Sequence, residues 1–417
     1  MTMGNKKNVP AIRFKGFAEE WNESKMGRIG IPYNGLSGKT KDDFGHGDAK
    51  FITYMNVFSN PVSNLSQTEK VEIDNKQNSV KYGDILFTVS SETPDEVGMS
   101  SVWLGNEDNI YLNSFCFGYR LIVHKDPYYM AYVLRSKSIR KLISLLAQGI
   151  SRYNISKGRV MEIALPFPDN NEQKAIGNYF QNIDKLIVAS QTKLDKLKNI
   201  KKACLEKMFP RNGSNTPELR FKRFANKLKY VYLKDIGSWD KGCGLSKADL
   251  NKEGLYPCIH YGELFSYSEI IKNVMSFTNK KSDKTTSNND ILFPDSDVTP
   301  VGLGRCSAIE IPNIILGGGI NVLRLYKDFK APYISLNVNN NRKQIIEKVT
   351  GTTVRHIHSK DLSDIGFFAS DNLTEQQKIG DYFAELDNLI AKTEQQINKL
   401  KNIKKACLDK MFVNRKD

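Results

Sequence analysis

Two glycine-led stretches hold the residues best suited to gripping a nucleic acid. Gly149 to Lys157 reads GISRYNISK, and Gly351 to Lys360 reads GTTVRHIHSK. Each sets an arginine beside a ring, Arg152 with Tyr153 and Arg355 with His356, and each ends on a lysine, Lys157 or Lys360. Such side chains contact phosphates and read base edges in a groove. A helix-to-strand loop with incidental charge is the plainer alternative. Lys39, Lys41, Tyr54, Lys241, Lys247, His260, Tyr261 and Arg305 are further basic and aromatic candidates.

Catalytic patterns fail on spacing. Gly38-Lys39-Thr40 imitates the end of a phosphate-binding loop, but the glycine that loop needs earlier is Tyr33. His356-Ile357-His358 has no cysteine or carboxylate at metal-ligand spacing. No HExxH or GxSxG occurs, and Gly317-Gly318-Gly319 reads as a turn. Asn60-Pro61-Val62 is no Asn-Pro-Pro-aromatic motif for holding a flipped base. The six cysteines form no CxxC pair. The expectation is a chain with no catalytic residue, no metal and no cofactor of its own.

With 61 Lys+Arg against 46 Asp+Glu, the formal charge is +15, which suits a polyanionic partner; a merely solvated basic surface is the alternative that charge alone leaves open. No run of about 18 apolar residues suggests a membrane span, and Met1 to Pro10 lacks an apolar signal core. A cytoplasmic protein with reduced thiols is expected.

The elements that must position these residues are doubled. Lys196 to Phe209 reads KLKNIKKACLEKMF and Lys399 to Phe412 reads KLKNIKKACLDKMF, differing only at Glu206 against Asp409. Upstream, Glu172, Gln173, Tyr179 and Phe180 recur as Glu375, Gln376, Tyr382 and Phe383. Weaker echoes precede each copy: Arg13-Phe14-Lys15 with Arg220-Phe221-Lys222, and Asp84-Ile85-Leu86-Phe87 with Asp290-Ile291-Leu292-Phe293. A one-residue gap after the glycine sets Arg152 opposite Arg355. The order is domain, helix, domain, helix.

Phe180, Ile187 and Leu194 are spaced by seven, as are Ile183 and Leu197 with Ser190 between them. The second copy gives Phe383, Ile390 and Ile397 with Leu386 and Leu400. This is the alternation of a coiled-coil seam. Ser190, Thr393, Lys201 and Lys404 are poor core residues that could fix its register. The partner expected for each helix is its own repeat, antiparallel; two separate amphipathic helices are the alternative. Asn171 or Asp169, and Thr374 or Asn372, are the candidate N-caps. About 37 helical residues would span roughly 55 Å, the length of roughly 13–16 base pairs.

The boundaries expected are 1–168 for the first recognition domain, 169–214 for the central helix, 215–371 for the second domain and 372–417 for the last helix. Each domain reads as α+β with a curved, mostly antiparallel sheet, the two related by a pseudo-twofold. KFITYMNVF and YPCIHYGEL are expected as strands, and Tyr128–Ala147 and Val338–Thr350 as helices.

The doubled order resembles the specificity subunit of type I restriction–modification systems. The carrying text is PAIRFKGF with PELRFKRF, ISKGRVMEIALPFP running into NEQKAIGNYF, and IHSKDLSDIGFFAS running into TEQQKIGDYF. At the second junction FFAS departs from the prolines of LPFP. The resemblance implies that each domain reads one half of a split, asymmetric duplex site, and that the helices set the gap. It also implies two methyltransferase subunits, carrying S-adenosylmethionine, docked on the helices, and translocating nuclease subunits completing the complex. A self-contained methyltransferase would need the motifs found missing. A scaffold that joins proteins through coiled coils would not need the charge.

Overall fold

The computed structural model describes residues 8–210 and 214–413. They form two compact units. One takes the chain through Gln191 and again from Gln395; the other is Thr192–Glu394. Each is an α+β body on one plan.

In the first unit a four-stranded antiparallel sheet runs in the order Gly30–Asn34, Cys116–Leu121, Ile85–Thr88, Ser100–Val102. A three-stranded sheet sets Phe44–Ile52 between Thr68–Val71 and Ile110–Leu112. The second unit repeats this with five strands, Gly237–Lys241, Ile320–Leu325, Asp290–Pro294, Ser307–Ile309 and Ile270–Ile271. Its three-stranded sheet sets Tyr256–Ile259 between Ser276–Thr278 and Ile315–Leu316.

The Asp-Ile-Leu-Phe echo has a physical reason. Asp84 and Asp290 open the central strand and are buried. Arg120 on the neighbouring strand donates to both oxygens of Asp84, at 2.9 and 2.6 Å. Arg324 reaches Asp290 at 3.0 Å. A buried carboxylate needs such a partner.

Two expected strands end early. After Ile52 the chain turns into the helix Tyr54–Ser59, capped by the Thr53 hydroxyl, which accepts from the Asn56 amide. After Ile259 it enters a 3₁₀ turn, Tyr261–Phe265, where His260 accepts from the Gly262 amide. Both ends are set by side-chain caps, which hydrophobic alternation does not reveal. Tyr128–Ala147 is two helices, Pro127–Val133 and Lys137–Ser144, broken around Arg135. That guanidinium donates to the carbonyls of Ser100, Val57, Phe58 and Asn60. The expected Val338–Thr350 helix is also two, Ala331–Asn340 and Lys343–Glu347.

The long helices are Asn170–Lys207 and Leu373–Lys410, 38 residues each. Asp169 and Asn372, not Asn171 and Thr374, are the caps: each Oδ1 accepts from the amides two and three residues on. One turn in, Glu172 and Glu375 are buried. Arg13 grips Glu172 through two bonds of 2.7 Å, and Arg220 grips Glu375 at 2.6 and 2.8 Å. The neighbouring rings follow suit, Phe14 edge-on to Tyr179 and Phe221 edge-on to Tyr382. The faint Arg-Phe-Lys echo is thus a latch onto the helix start.

The first half of each helix stays in the unit it follows in sequence, and its second half belongs to the other. Within each unit the two halves run antiparallel. In the first, Asp184 meets Lys404 at 2.5 Å, Tyr179 meets the Cys407 thiol at 3.4 Å, and Phe180 stacks on Phe412. In the second, Asp387 meets Lys201 at 2.8 Å, Tyr382 meets Cys204 at 3.4 Å, and Phe383 stacks on Phe209. Phe180, Ile183, Leu194, Phe383, Leu386 and Ile397 are buried; Ile187, Leu197, Ile390 and Leu400 are half-buried. Lys201 and Lys404 fix the register as ion pairs. Burial disfavours the Lys201 charge, but Glu269 and Asp387 outweigh it and raise its pKa.

The helix ends are buried in the cores. Phe412 packs among Trp21, Tyr129 and Phe180, and Phe209 against Tyr333 and Phe383. The near-identity of KKACLEKMF and KKACLDKMF therefore reflects one packing task done twice. Phe412 completes the core of a unit whose domain lies at the other end of the chain, and Phe209 that of the domain which follows it directly.

Candidate nucleic-acid interface

Each glycine-led loop is held by one device. Gly149 has φ +134° and Gly351 φ +98°. A Cβ there would strike the carbonyl oxygen of Arg152 or of Val354, so only glycine closes the loop. Gln148 and Asn154 exchange backbone hydrogen bonds across the first loop, and Thr350 and His356 across the second. The short strand that follows pairs with one leaving the central sheet: Tyr153–Asn154 with Ser90–Ser91, and Arg355–His356 with Ser296–Asp297. The amide of Ile155 then donates to Val89, and that of Ile357 to Asp295.

These pairings correct the sequence alignment. No gap follows the glycine: Val354 takes the place of Arg152, Arg355 that of Tyr153, and His356 that of Asn154. The extra residue of the second copy is Asp371, at the junction with the helix. There the Gln173 side-chain Nε2 donates five residues back to the Pro168 carbonyl, whereas that of Gln376 donates six back to the Ser370 carbonyl. Matching arginines puts the gap after the glycine, whereas the backbone hydrogen bonds put it at the junction.

In the first unit, Arg152 is exposed and lines a cleft of about 280 Å³ with Tyr54, Met55, Phe58, Glu92 and Phe115. Tyr54 stacks on Phe58 at 5.9 Å and donates to the Ser90 carbonyl at 2.6 Å. Lys157 donates to the Asn34 side chain. In the second unit, Arg355 donates to the Gly351 carbonyl, and its buried Nε has no partner among the described residues. Ser296 and the Nδ1 of His356 lie 3.0 Å apart, and the His356 and His358 rings stack at 6.4 Å. Lys360 is exposed on the short helix Ser359–Ser363.

The weaker candidates separate. Lys41, Lys241 and Lys247 are exposed. Lys39 is held between Asp74, at 3.1 Å, and Asp43, at 3.6 Å, and these bonds raise its pKa. Both terminal nitrogens of Arg305 donate to backbone carbonyls, of Phe265 at 2.8 Å and Tyr267 at 2.5 Å. The His260 and Tyr261 rings lie 4.7 Å apart, tilted by 47°, at the turn. Sequence reasoning missed Met55, Glu92, Glu96 and Phe115, and in the second unit Ser296 and Asp297. The doubled DILF strand points to Glu92, Glu96, Ser296 and Asp297, which follow it in sequence; no local signal marks Met55 or Phe115.

A family model described as the type I restriction modification DNA specificity domain matches the chain twice, over residues 18–199 and 225–402, and the chain belongs to that family. It is 24% identical over 401 residues to the putative type I restriction enzyme MjaX specificity subunit of Methanocaldococcus jannaschii, covering 92% of this chain and 91% of that one. The type I restriction–modification S subunit of M. genitalium shares its fold at a TM-score of 0.63 and 17% identity, covering 98% of this chain and all of that one. A chain from work on complex assembly and conformational transition of the type I R-M system aligns at 0.52 and 15%, covering 96% and 99%. The chain is accordingly a specificity subunit with two tandem recognition domains. It is non-catalytic, the methylase activity lying in the M subunit. No described helix is long and apolar enough to cross a membrane.

Proposed function

We propose that this chain selects the duplex DNA target of a type I restriction–modification complex, reading a split site with one domain per half. Residues 1–168 take one half-site and 215–371 the other. Arg152, Tyr153 and Lys157 act in the first, and Arg355, His356 and Lys360 in the second. Lys39, Lys41, Tyr54, Lys241, Lys247, His260, Tyr261 and Arg305 are secondary contacts; Lys39 and Arg305 are the weakest, since the Lys39 ammonium and both terminal nitrogens of Arg305 are already engaged. The observation that carries the reading is one loop-holding device built twice with different residues at equivalent positions. Two such loops suit two different half-sites.

The helices, 169–214 and 372–417, set the gap between half-sites and dock two methyltransferase subunits. Thirty-eight residues at 1.5 Å each extend roughly 57 Å, comparable with a bipartite site. S-adenosylmethionine belongs to those partners, nuclease subunits complete the complex, and the assembly works in the cytoplasm.

Mapping methylated adenines in host DNA with this gene intact and deleted tests the reading. A split, asymmetric motif should lose its methylation on deletion. Inserting one heptad into both helices should change the gap and leave both half-sites as they were. An unsplit motif, or a gap indifferent to the insertion, ends the proposal.

A further inference from the structure

Each unit has a recess where the second half of a long helix passes its domain, and the helix residues lining the two recesses correspond. In the first unit Lys401, Lys404 and Lys405 line it with Arg135 and Lys137, against Asp184 and Asp409; its volume is about 410 Å³. In the second, Lys198, Lys201 and Lys202 line it with Arg305 and Arg342, against Glu206 and Glu269; its volume is about 670 Å³. Positive side chains outnumber carboxylates by three in both. Apolar side chains join the lining, Ile187 and Leu408 in one and Leu205 and the exposed Val301 in the other.

The two domains supply different residues to the walls, yet the charge excess is the same. In the second recess, the buried Nε of Arg305 and Nδ2 of Asn340 have no partner among the described residues. Unsatisfied buried donors are costly, and an incoming acceptor would relieve them. Lys198, Lys202, Lys401 and Lys405 are exposed, Lys198 pairing with Glu394 at 2.7 Å.

We infer that these recesses are twin docking sites for an acidic protein segment, one with carboxylates flanked by apolar side chains, presented identically by two copies of one partner. A duplex fits less well. Phosphate contacts would leave the apolar side chains of the lining unused. The sites also lie on the shared helices, whereas the loops that differ between units carry the reading residues. The inference rests on the proposed function, in which that partner is the methyltransferase subunit.

The test uses the full chain co-purified with its methyltransferase subunit. K401E/K405E and K198E/K202E each reverse two exposed charges in one recess. Each should lower the methyltransferase complement from two copies to one, with at least about tenfold weaker recruitment at the altered site, and leave the circular dichroism and thermal midpoint in place. Arginine at the same positions should restore the full complement. Full recruitment by the reversed variants overturns the inference, as does loss confined to duplex retention, which would make the recesses nucleic-acid contacts. If the unsubstituted chain recruits no methyltransferase, the proposed function fails and this inference with it.

Discussion

In the first unit the loop arginine, Arg152, stands exposed one residue before the short strand; in the second, Arg355 lies within that strand and folds back onto Gly351. Around these different arginines the glycine, the closing hydrogen bonds and the paired strand are the same. The loops vary where they can face a partner, and the support stays constant where it must hold them. The same division separates domains from helices. Arg13 and Arg220, Phe412 and Phe209, and Lys404 and Lys201 occupy matched positions, because each pair closes one kind of core or seam.

The comparison breaks first if the matched positions are not energetically matched. Phe412→Ala should destabilise the first unit by about 3–5 kcal/mol and Phe209→Ala the second by a similar amount, each removing a fully buried ring. Denaturant unfolding followed by unit-specific probes reads this. A loss in one unit alone would mean that the repeated helix ends do different jobs.

Arg13→Ala and Arg220→Ala should each cost about 3 kcal/mol, the lower end for exposing a buried carboxylate to no counter-ion. The helix amides and dipole still stabilise Glu172 and Glu375 at the third helical position. Glu172 also keeps Trp21, at 3.2 Å, and Glu375 keeps the Ser370 hydroxyl, at 2.5 Å. Thermal unfolding of the two variants should therefore agree closely.

Smaller effects should separate the units. Arg152→Ala should relax one half-site by roughly 1–3 kcal/mol of discrimination and Arg355→Ala the other, read by methylation of mismatched sites. Equal loss at both halves would contradict independent reading.

The smallest expected effect concerns acid. Asp240 stands where the first unit has Tyr33. Burial opposes its charge, but bonds from Lys284, the Lys241 amide and Arg324 prevail and hold its pKa at about 2. A carboxyl lowered on folding stabilises the protein above its unfolded pKa, near 4, and that contribution fades as pH falls towards 2. Tyr33, raised chiefly by burial, stays neutral there and contributes no such slope. Asp240→Asn should flatten the acid limb of the second unit only. An unchanged limb would show that the two positions are equivalent in charge after all.

The order of domain and helix, the seam residues and the two glycine-led loops were legible in the sequence, because a repeat and a heptad are local patterns. Three features were decided by tertiary structure. The short helix at Tyr54 and the turn at Tyr261 depend on side-chain caps that interrupt a β-like pattern. The extra residue of the second copy sits at Asp371, which only paired backbone groups reveal, since matching arginines put it after the glycine. And each helix end packs away from the domain that precedes its helix, Phe209 in the core of the domain that follows and Phe412 in that of the first domain. A sequence repeat shows that two segments are under one constraint, but which surface imposes it depends on contacts between residues far apart along the chain.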